Sequence, residues 1–288
     1  MLKMKSLYFD CFSGISGDMV IGALLDAGGD RQYLEAELKK LNIESEYTLQ
    51  YKTVVKNGIT STKFDVVLKE EENHHHHHHE HDHHHGHHHH SEDDHHNHDH
   101  EHHGEHHHHG HHHHHDDRTY KHIVKMIQEA QLSENAEKIA LNIFEKIGIA
   151  EGKIHGVPLE DVHFHEVGAV DSIIDIVGAA ILIDQMEIEM VYASTIPVGS
   201  GRIQIDHGLY PVPAPATLEI LRGIPLHHTN IKGELTTPTG AAIVAVLAEH
   251  FGPVPSMIVE DIGYGAGTKT FPTHPNVLRV MIGLIEEK

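Results

Sequence analysis

The chain has 288 residues and a formal net charge of −22, with 21 Lys and Arg against 43 Asp and Glu. This balance argues against binding nucleic acid through its phosphates, which requires a basic surface. No apolar stretch approaches the roughly 20 residues that span a bilayer, and a single cysteine excludes intramolecular disulfides and all-thiolate zinc sites. We therefore expect a cytoplasmic protein that does not enter a membrane and whose metal ligands are nitrogen and oxygen.

The N-terminal region predicts a strand, a turn and a helix. Residues 6–12 are apolar and read as a buried strand, and the turn at 13–17 contains two glycines. Apolar residues then recur at helical spacing from Met19 to Ala27, where Gly28 and Gly29 end the pattern. A short helix over 33–41 and strands over 46–55 and 63–68 follow.

Residues 73–117 differ from the rest of the chain. The stretch from His74 to His115 holds 29 of the 38 histidines, and ten acidic residues but no Lys or Arg lie between His74 and Asp117. Almost no apolar side chain is present to offset the entropy of ordering, so this segment is predicted to be a disordered insertion. It would interrupt one folded module, made of residues 1–72 and 118–288, which could divide into two subdomains.

The histidines of this insertion predict a metal reservoir, because neutral imidazole is the commonest ligand of divalent transition metals. An expression tag is the alternative, but tags are usually terminal and pure. Histidines alone do not select nickel, since copper and zinc also bind them well. The first run of candidate ligands is His74, His75, His76, His77, His78 and His79.

Beyond the insertion, strand and helix patterns alternate. Helices are predicted over 119–130, 133–147, 171–186, 216–221 and 241–250, with strands over 162–165, 190–198, 256–262 and 276–285. A glycine-rich loop over 263–268 would join the last two strands. Mixed elements of this kind predict an α/β or α+β fold, with helices packed on a mixed sheet.

The segment from His163 to Asp175 is the first candidate site. On a strand, His163 and His165 would face the same side, and Asp171 and Asp175 would share one face of the next helix. With Glu166, they form a ligand set suited to Ni²⁺, Mn²⁺, Zn²⁺ or Fe²⁺. The alternative is that Asp171 caps its helix, Asp175 is solvated and the histidines lie in an ordinary polar turn.

The turn between Asp10 and Asp18 is the second candidate. Free backbone N–H groups at a helix N-terminus can bind an anion, which would involve Ser13, Gly14 and Gly17. Asp10 and Asp18 could bind a cation or act as a base. A capped helix after a tight turn explains the same residues equally well.

A third candidate combines Glu234 to Gly240, with a helix start at Thr236 and Thr237, and the glycine-rich segment Gly263 to Lys269, which contains Gly265. The threonines could bind phosphate, and the glycines would let a ligand approach the backbone. The spacing is not that of a P-loop, which argues against a GTPase-type metal chaperone. A simple glycine-rich hairpin loop is the alternative.

Several motifs together resemble the N-terminal part of the nickel insertion proteins of nickel-pincer cofactor biosynthesis. They occur in one order along nearly the whole chain outside the histidine-rich segment. They read YFDCFSGISGDM, VHFHEVGAVDSIIDIVGA, PVGSG, PVPAPATLEIL, ELTTPTGAA and GYGAGTK.

The resemblance implies a nickel chelatase or cyclometallase of the lyase class. Such a protein inserts Ni²⁺ into pyridinium-3,5-bisthiocarboxylic acid mononucleotide, forming two Ni–S bonds and one Ni–C bond, and uses CTP hydrolysis with Mg²⁺ or Mn²⁺. The product is the cofactor of lactate racemase and related enzymes. The resemblance also implies a C-terminal companion domain and contact with the sulfur-insertion protein or the nickel-pincer-dependent enzyme. We further expect a homo-oligomer.

No catalytic role comes from the resemblance itself. Loss of a ring proton must accompany Ni–C bond formation, and a carboxylate or imidazole close to the metal could accept it. From the residues alone, the candidates for this step are Asp10, Asp18, Asp171 and Asp175. A non-catalytic nickel storage or delivery protein, acting with a separate catalytic C-terminal partner, is the competing hypothesis.

Overall fold

A computed structural model describes residues 3–69, 118–164, 167, 169–205 and 208–286. Most of its strands form one mixed seven-stranded sheet, in the order β11-β4-β1-β13-β12-β3-β2. The prediction of a mixed sheet with packed helices is thereby confirmed. The large-sheet strands are β1 (Lys3–Asp10), β2 (Tyr47–Lys56), β3 (Ile59–Leu68), β4 (Met190–Ala193), β11 (His250–Phe251), β12 (Ile258–Ala266) and β13 (Val277–Glu286).

The remaining strands are short and pair two by two outside the large sheet. A hydrogen bond links Pro197 to the residues just after Glu234. The buried hydroxyl Oγ1 of Thr236 donates to the carbonyl oxygen of Pro197 over 2.7 Å. The short strands are β5 (Ile196–Pro197), β6 (Gly199–Ser200), β7 (Arg202–Ile205), β8 (Gly208–Pro211), β9 (Leu226–His227) and β10 (Gly233–Glu234).

Seven α-helices lie in the described residues, most of them close to their predicted positions. Asp30, Thr119, Ser133 and Thr237 each accept a backbone N–H with their side chain at a helix start, which explains where those helices begin. The helices are α1 (Gly17–Asp26), α2 (Arg31–Leu38), α3 (Tyr120–Glu129), α4 (Glu134–His155), α5 (Val170–Gln185), α6 (Pro215–Ile220) and α7 (Pro238–Leu247). None of them is both long and apolar enough to cross a membrane.

The core lies between the sheet and the helices. Leu7 and Phe9 of β1 are fully buried together with Ile21 of α1 and Ile174 of α5. Elements from both sides of residues 70–117 contribute to this one hydrophobic cluster, since Phe64 of β3 also belongs to it. The histidine-rich insertion, including His74 to His79, lies outside the described residues.

Two predictions of element type were wrong. The expected loop over 263–268 begins as strand, because Gly263 and Gly265 belong to β12 and let α1 pack directly on the sheet. The expected strand over 162–165 is reduced, in its described part, to a single bridge between Thr119 and His163. Alternation of side chains over four residues is too short a signal to distinguish a strand from an extended connection.

The two described ends that flank residues 70–117 are held at one place. The backbone N–H of Lys69 donates to the carbonyl oxygen of Glu46 over 3.0 Å. Arg118 Nη2 lies 2.6 and 2.7 Å from the two carboxylate oxygens of Glu46. The main fold therefore does not depend on the intervening segment to bring these ends together.

Replacing residues 70–117 by roughly six Gly and Ser residues should leave the fold intact. A shorter closed loop costs less entropy, so we expect the free energy of unfolding to rise by about 2 kcal/mol. Urea unfolding followed by circular dichroism, with chelator present, measures this change. Loss of a single cooperative transition in the deletion variant would contradict the expectation, and the deletion combined with Glu46→Ala tests the contribution of the pinned ends.

Candidate active-site cleft

Three helix N-termini open onto one cleft of about 420 Å³. They are the first turns of α1, α5 and α7, and β3 forms a further wall. Helix N-termini carry partial positive charge, which favours negative groups beside them. The lining residues are Ser16, Gly17, Asp18, Lys63, Phe64, Asp65, Val66, Val167, Asp171, Ser172, Asp175, Glu234, Thr237, Pro238, Thr239 and Thr268.

Lys63 of β3 is buried between two carboxylates of the cleft, those of Asp18 and Asp65. Its Nζ lies 2.7 Å from Asp18 Oδ2 and 2.7 Å from Asp65 Oδ1, and it donates to the carbonyl oxygen of Phe64 over 2.9 Å. Burial by itself would lower the pKa of Lys63, but Asp18 and then Asp65 outweigh it and the pKa is raised. The Lys63 side chain therefore stays charged and neutralises part of the negative charge of Asp18 and Asp65.

Asp175 is a buried carboxyl group of the cleft whose pKa is raised. Burial, followed by the negative charges of Asp18 and Asp171, raises its pKa well above the usual value. Its Oδ1 is shielded from solvent and has no hydrogen-bond partner among the residues that the structure describes. The Asp175 side chain packs closely against Gly17 of α1. A Cβ added at Gly17 would lie 2.5 Å from Asp175 Oδ2. Such a carboxyl group can hold or accept a proton nearer neutral pH than an exposed aspartate can.

The structure brings five of the predicted site residues together. Asp18, Asp171 and Asp175 line the cleft with Gly17 and Thr237, although the sequence had placed them in three separate candidate sites. Thr237 also caps α7, since its Oγ1 accepts the N–H of Gly240 over 3.2 Å.

Apart from His163, five other predicted residues within the described stretches do not line the cleft. Asp10 pairs with Arg279, whose Nε donates to Asp10 Oδ2 over 2.8 Å. The Ser13 hydroxyl donates to the carbonyl oxygen of Pro275. The other three are engaged in packing or backbone contacts, and they are Gly14, Thr236 and Gly265.

Comparison with known proteins identifies the family. A family model described as "Nickel insertion protein" matches residues 7–288. The chain belongs to the nickel insertion protein family. No solved structure matches it.

Relatives that carry the name pyridinium-3,5-bisthiocarboxylic acid mononucleotide nickel insertion protein match nearly the whole chain. The chain is 50% identical to the one from Geobacillus kaustophilus over 280 residues, which cover 97% of this chain and 60% of the relative. It is 46% identical to that of Clostridium kluyveri, with 97% and 62% covered, and 43% identical to that of Staphylococcus epidermidis, with 96% and 59% covered. The chain thus spans about 60% of the length of these relatives.

Membership of the nickel insertion family implies Ni²⁺ handling, but the described residues do not supply a closed metal site. Within residues 3–69, 118–164 and the later described stretches, no group of three or more His, Cys, Asp or Glu is placed to hold a metal ion. His163 is exposed and does not line the cleft. His165 and Glu166, the other two ligands of the predicted centre, lie outside the described residues, so that centre stays a prediction.

Sequence reasoning missed several residues of this cleft. Lys63 and Asp65 are the most important, because they provide its buried cation and one of its carboxylates. A signal was available, since two opposite charges flank Phe64 within a strand whose alternate residues are apolar. The other missed residues, Phe64 and Val66, belong to the same strand. The remaining polar lining residues lie within the three candidate segments of the sequence, and they are Ser16, Ser172, Glu234, Thr239 and Thr268.

Proposed function

We propose that this chain acts in the insertion of Ni²⁺ into pyridinium-3,5-bisthiocarboxylic acid mononucleotide, and that the reaction takes place at the cleft. The family membership and the names of the relatives support the substrate, with Ni²⁺ as the metal that is transferred. Because the chain spans about 60% of those relatives, the proposal allows for a companion segment that completes the activity.

The buried carboxyl group of Asp175 is the observation that carries the proposal. Forming a Ni–C bond breaks a ring C–H bond, whose electron pair passes to nickel while the proton leaves. A carboxylate is a better acceptor when its pKa is raised toward the working pH. Asp175 has both a raised pKa and an oxygen without a partner in the described structure. We assign it the role of proton acceptor in cyclometallation.

The charge of the lining suits a cation. Five of the described lining residues are acidic, namely Asp18, Asp65, Asp171, Asp175 and Glu234, whereas Lys63 is basic. Clefts with one predominant sign of charge raise the local concentration of ions of the opposite sign. The cleft would attract Ni²⁺ released from the histidine-rich segment, which we propose to serve as a reservoir.

The same lining does not fit a nucleoside triphosphate. A triphosphate needs several cationic partners, whereas the one basic residue of the described lining, Lys63, is already paired with Asp18 and Asp65. We therefore place neither CTP nor an accompanying Mg²⁺ or Mn²⁺ in this cleft. If the reaction requires CTP, a companion segment is the proposed place for it.

Asp18→Asn tests the cleft as the reaction site. Loss of this charge should reduce nickel insertion about tenfold or more, because Asp18 pairs with Lys63 and adjoins Asp175. Insertion is measured by mass spectrometry of the nickel-containing product, at saturating Ni²⁺, with protein expressed from its natural locus so that any companion segment is present.

The matched control is Asp26→Asn, at the other end of the same helix, where the carboxylate contacts Thr62 and Tyr264 outside the cleft. This variant should insert nickel at the wild-type rate. Equal rates for wild type and Asp18→Asn would contradict the proposed site. A protein that binds nickel but supports no insertion under any of these conditions would favour the competing function, nickel storage and delivery.

A further inference from the structure

Lys63 has no donor left for a ligand. An ammonium group carries three N–H donors. Those of Lys63 are directed to Asp18 Oδ2 at 2.7 Å, Asp65 Oδ1 at 2.7 Å and the carbonyl oxygen of Phe64 at 2.9 Å. Although Lys63 lines the cleft, its hydrogen-bonding capacity is satisfied within the protein. Any part that it plays in the chemistry must pass through its neighbours.

The principal neighbour is Asp18, which links three elements. Asp18 stands in the first turn of α1, and its Oδ2 accepts from Lys63 of β3. Its Oδ1 accepts from the hydroxyl of Ser16, at the N-cap of the same helix. The carboxyl group of Asp175 on α5 lies against the same turn, since a Cβ on the neighbouring Gly17 would be 2.5 Å from Asp175 Oδ2, and the charge of Asp18 acts on the pKa of Asp175. A chain of contacts therefore runs from Lys63 through Asp18 to Asp175.

Electrostatics makes this chain sensitive to loss of the lysine. Asp18, Asp65, Asp171, Asp175 and Glu234 all line the same cleft. Without the ammonium, Asp18 and Asp65 would lose their shared counter-charge and repel each other and Asp175. The first turn of α1 would then shift or take up water, and Asp175 would lose its fixed position against Gly17.

We propose that Lys63 is the positioning residue of the cleft. It holds the carboxylate of Asp18 in place and, through the first turn of α1, the carboxyl group of Asp175 in the geometry that accepts the substrate proton. This inference rests on the function proposed above for the cleft, and it assigns Lys63 no direct contact with nickel or with the mononucleotide.

A double-mutant cycle between Lys63 and Asp18 tests the inference. Lys63→Met should lower kcat for nickel insertion about tenfold and leave the KM values for Ni²⁺ and mononucleotide within about twofold, because no ligand contact is lost. In an Asp18→Asn background, the same change should cost less than about twofold, because Lys63 acts through Asp18. Lys63→Arg, which keeps the charge, should recover part of kcat.

Lys52→Met is the matched control. Lys52 lies directly opposite Lys63 on β2, but it is exposed and does not line the cleft. Its replacement should leave kcat unchanged in both backgrounds. If Lys63→Met does not fold, Lys63→Gln carries the same cycle, with thermal unfolding of each variant as the check on folding.

The outcomes separate this inference from the proposed function. Equal losses of kcat for Lys63→Met in both backgrounds, or a rise in KM at unchanged kcat, would overturn the positioning role alone. Full activity of Lys63→Met beside impaired Asp18→Asn and Asp175→Asn would also overturn it while leaving the site intact. Wild-type activity of all three single variants would instead refute the cleft as the reaction site.

Discussion

Asp175→Asn should abolish nickel insertion, with a loss of at least about 100-fold in kcat. An amide has nearly the shape of a carboxyl group but cannot accept the substrate proton, and removing a general base typically costs 10²- to 10⁴-fold. Because Asp175 is only one of several acidic groups in the cleft, nickel should still accumulate there. Single-turnover insertion, followed by mass spectrometry at saturating Ni²⁺, separates the lost chemical step from nickel binding.

Asp184→Asn is the control for this variant. Asp184 lies on the same helix, but its carboxylate accepts from Ser133 at 2.6 Å and Asn135 at 2.9 Å, outside the cleft. It should insert nickel at the wild-type rate. If Asp175→Asn retained wild-type kcat, another group would have to take the proton, and the assignment of Asp175 would be withdrawn.

The Asp175→Asn variant should be more stable than the wild type at neutral pH. The pKa of Asp175 is raised in the folded state, so the folded protein keeps a proton that the unfolded chain releases near pH 3.8. The stability that this proton contributes is complete below pH 3.8 and is lost as the pH rises through the folded-state pKa. Asp175→Asn removes that loss, and the melting temperature at neutral pH should rise by roughly 2–4 °C. An unchanged pH dependence would show that Asp175 ionises normally.

Gly265→Ala should unfold the protein or cost about 3 kcal/mol or more of stability. A Cβ at this position of β12 would lie 1.8 Å from the carbonyl oxygen of Met19 and 2.6 Å from the backbone nitrogen of Ala23, both on α1. Backbone cannot move aside as a flexible side chain can, so the helix would have to leave the sheet. Urea unfolding gives the loss in free energy, and the displaced α1 should also disrupt the cleft.

Gly223→Ala separates this contact from the general effect of replacing a glycine. Gly223 has a φ of +85°, but a Cβ there would meet nothing within 4 Å. Its replacement should cost only about 1 kcal/mol, through backbone strain. A similar small loss for Gly265→Ala would show that α1 and β12 can separate at little cost.

Hydrophobic periodicity and turn residues were enough to locate most elements. The boundaries of α1, α3, α5 and α6 lie within about two residues of their predictions, because apolar spacing and caps are properties of neighbouring residues. The prediction for α4 was too short by eight residues at its C-terminal end. Apolar and polar residues continue at helical spacing to Gly156, whose left-handed conformation ends the helix.

Sequence motifs also predicted the family, which the comparisons confirm, and three of the cleft carboxylates, Asp18, Asp171 and Asp175. They could not predict that these carboxylates line one cleft, because α1 and α5, and the wall strand β3, are far apart along the chain. The cleft depends on the pairing of β3 beside β12 and on the packing of α1 against β12.

The sequence by itself determined most of the local helices and strands and the membership of the nickel insertion protein family, because these depend on residue types and short spacings. Only the tertiary structure decided that Lys63 neutralises Asp18, that Asp175 is buried beside them, and that Gly265 is a packing position on α1. The physical reason is that charge neutralisation, desolvation and close backbone contact arise between elements distant in sequence.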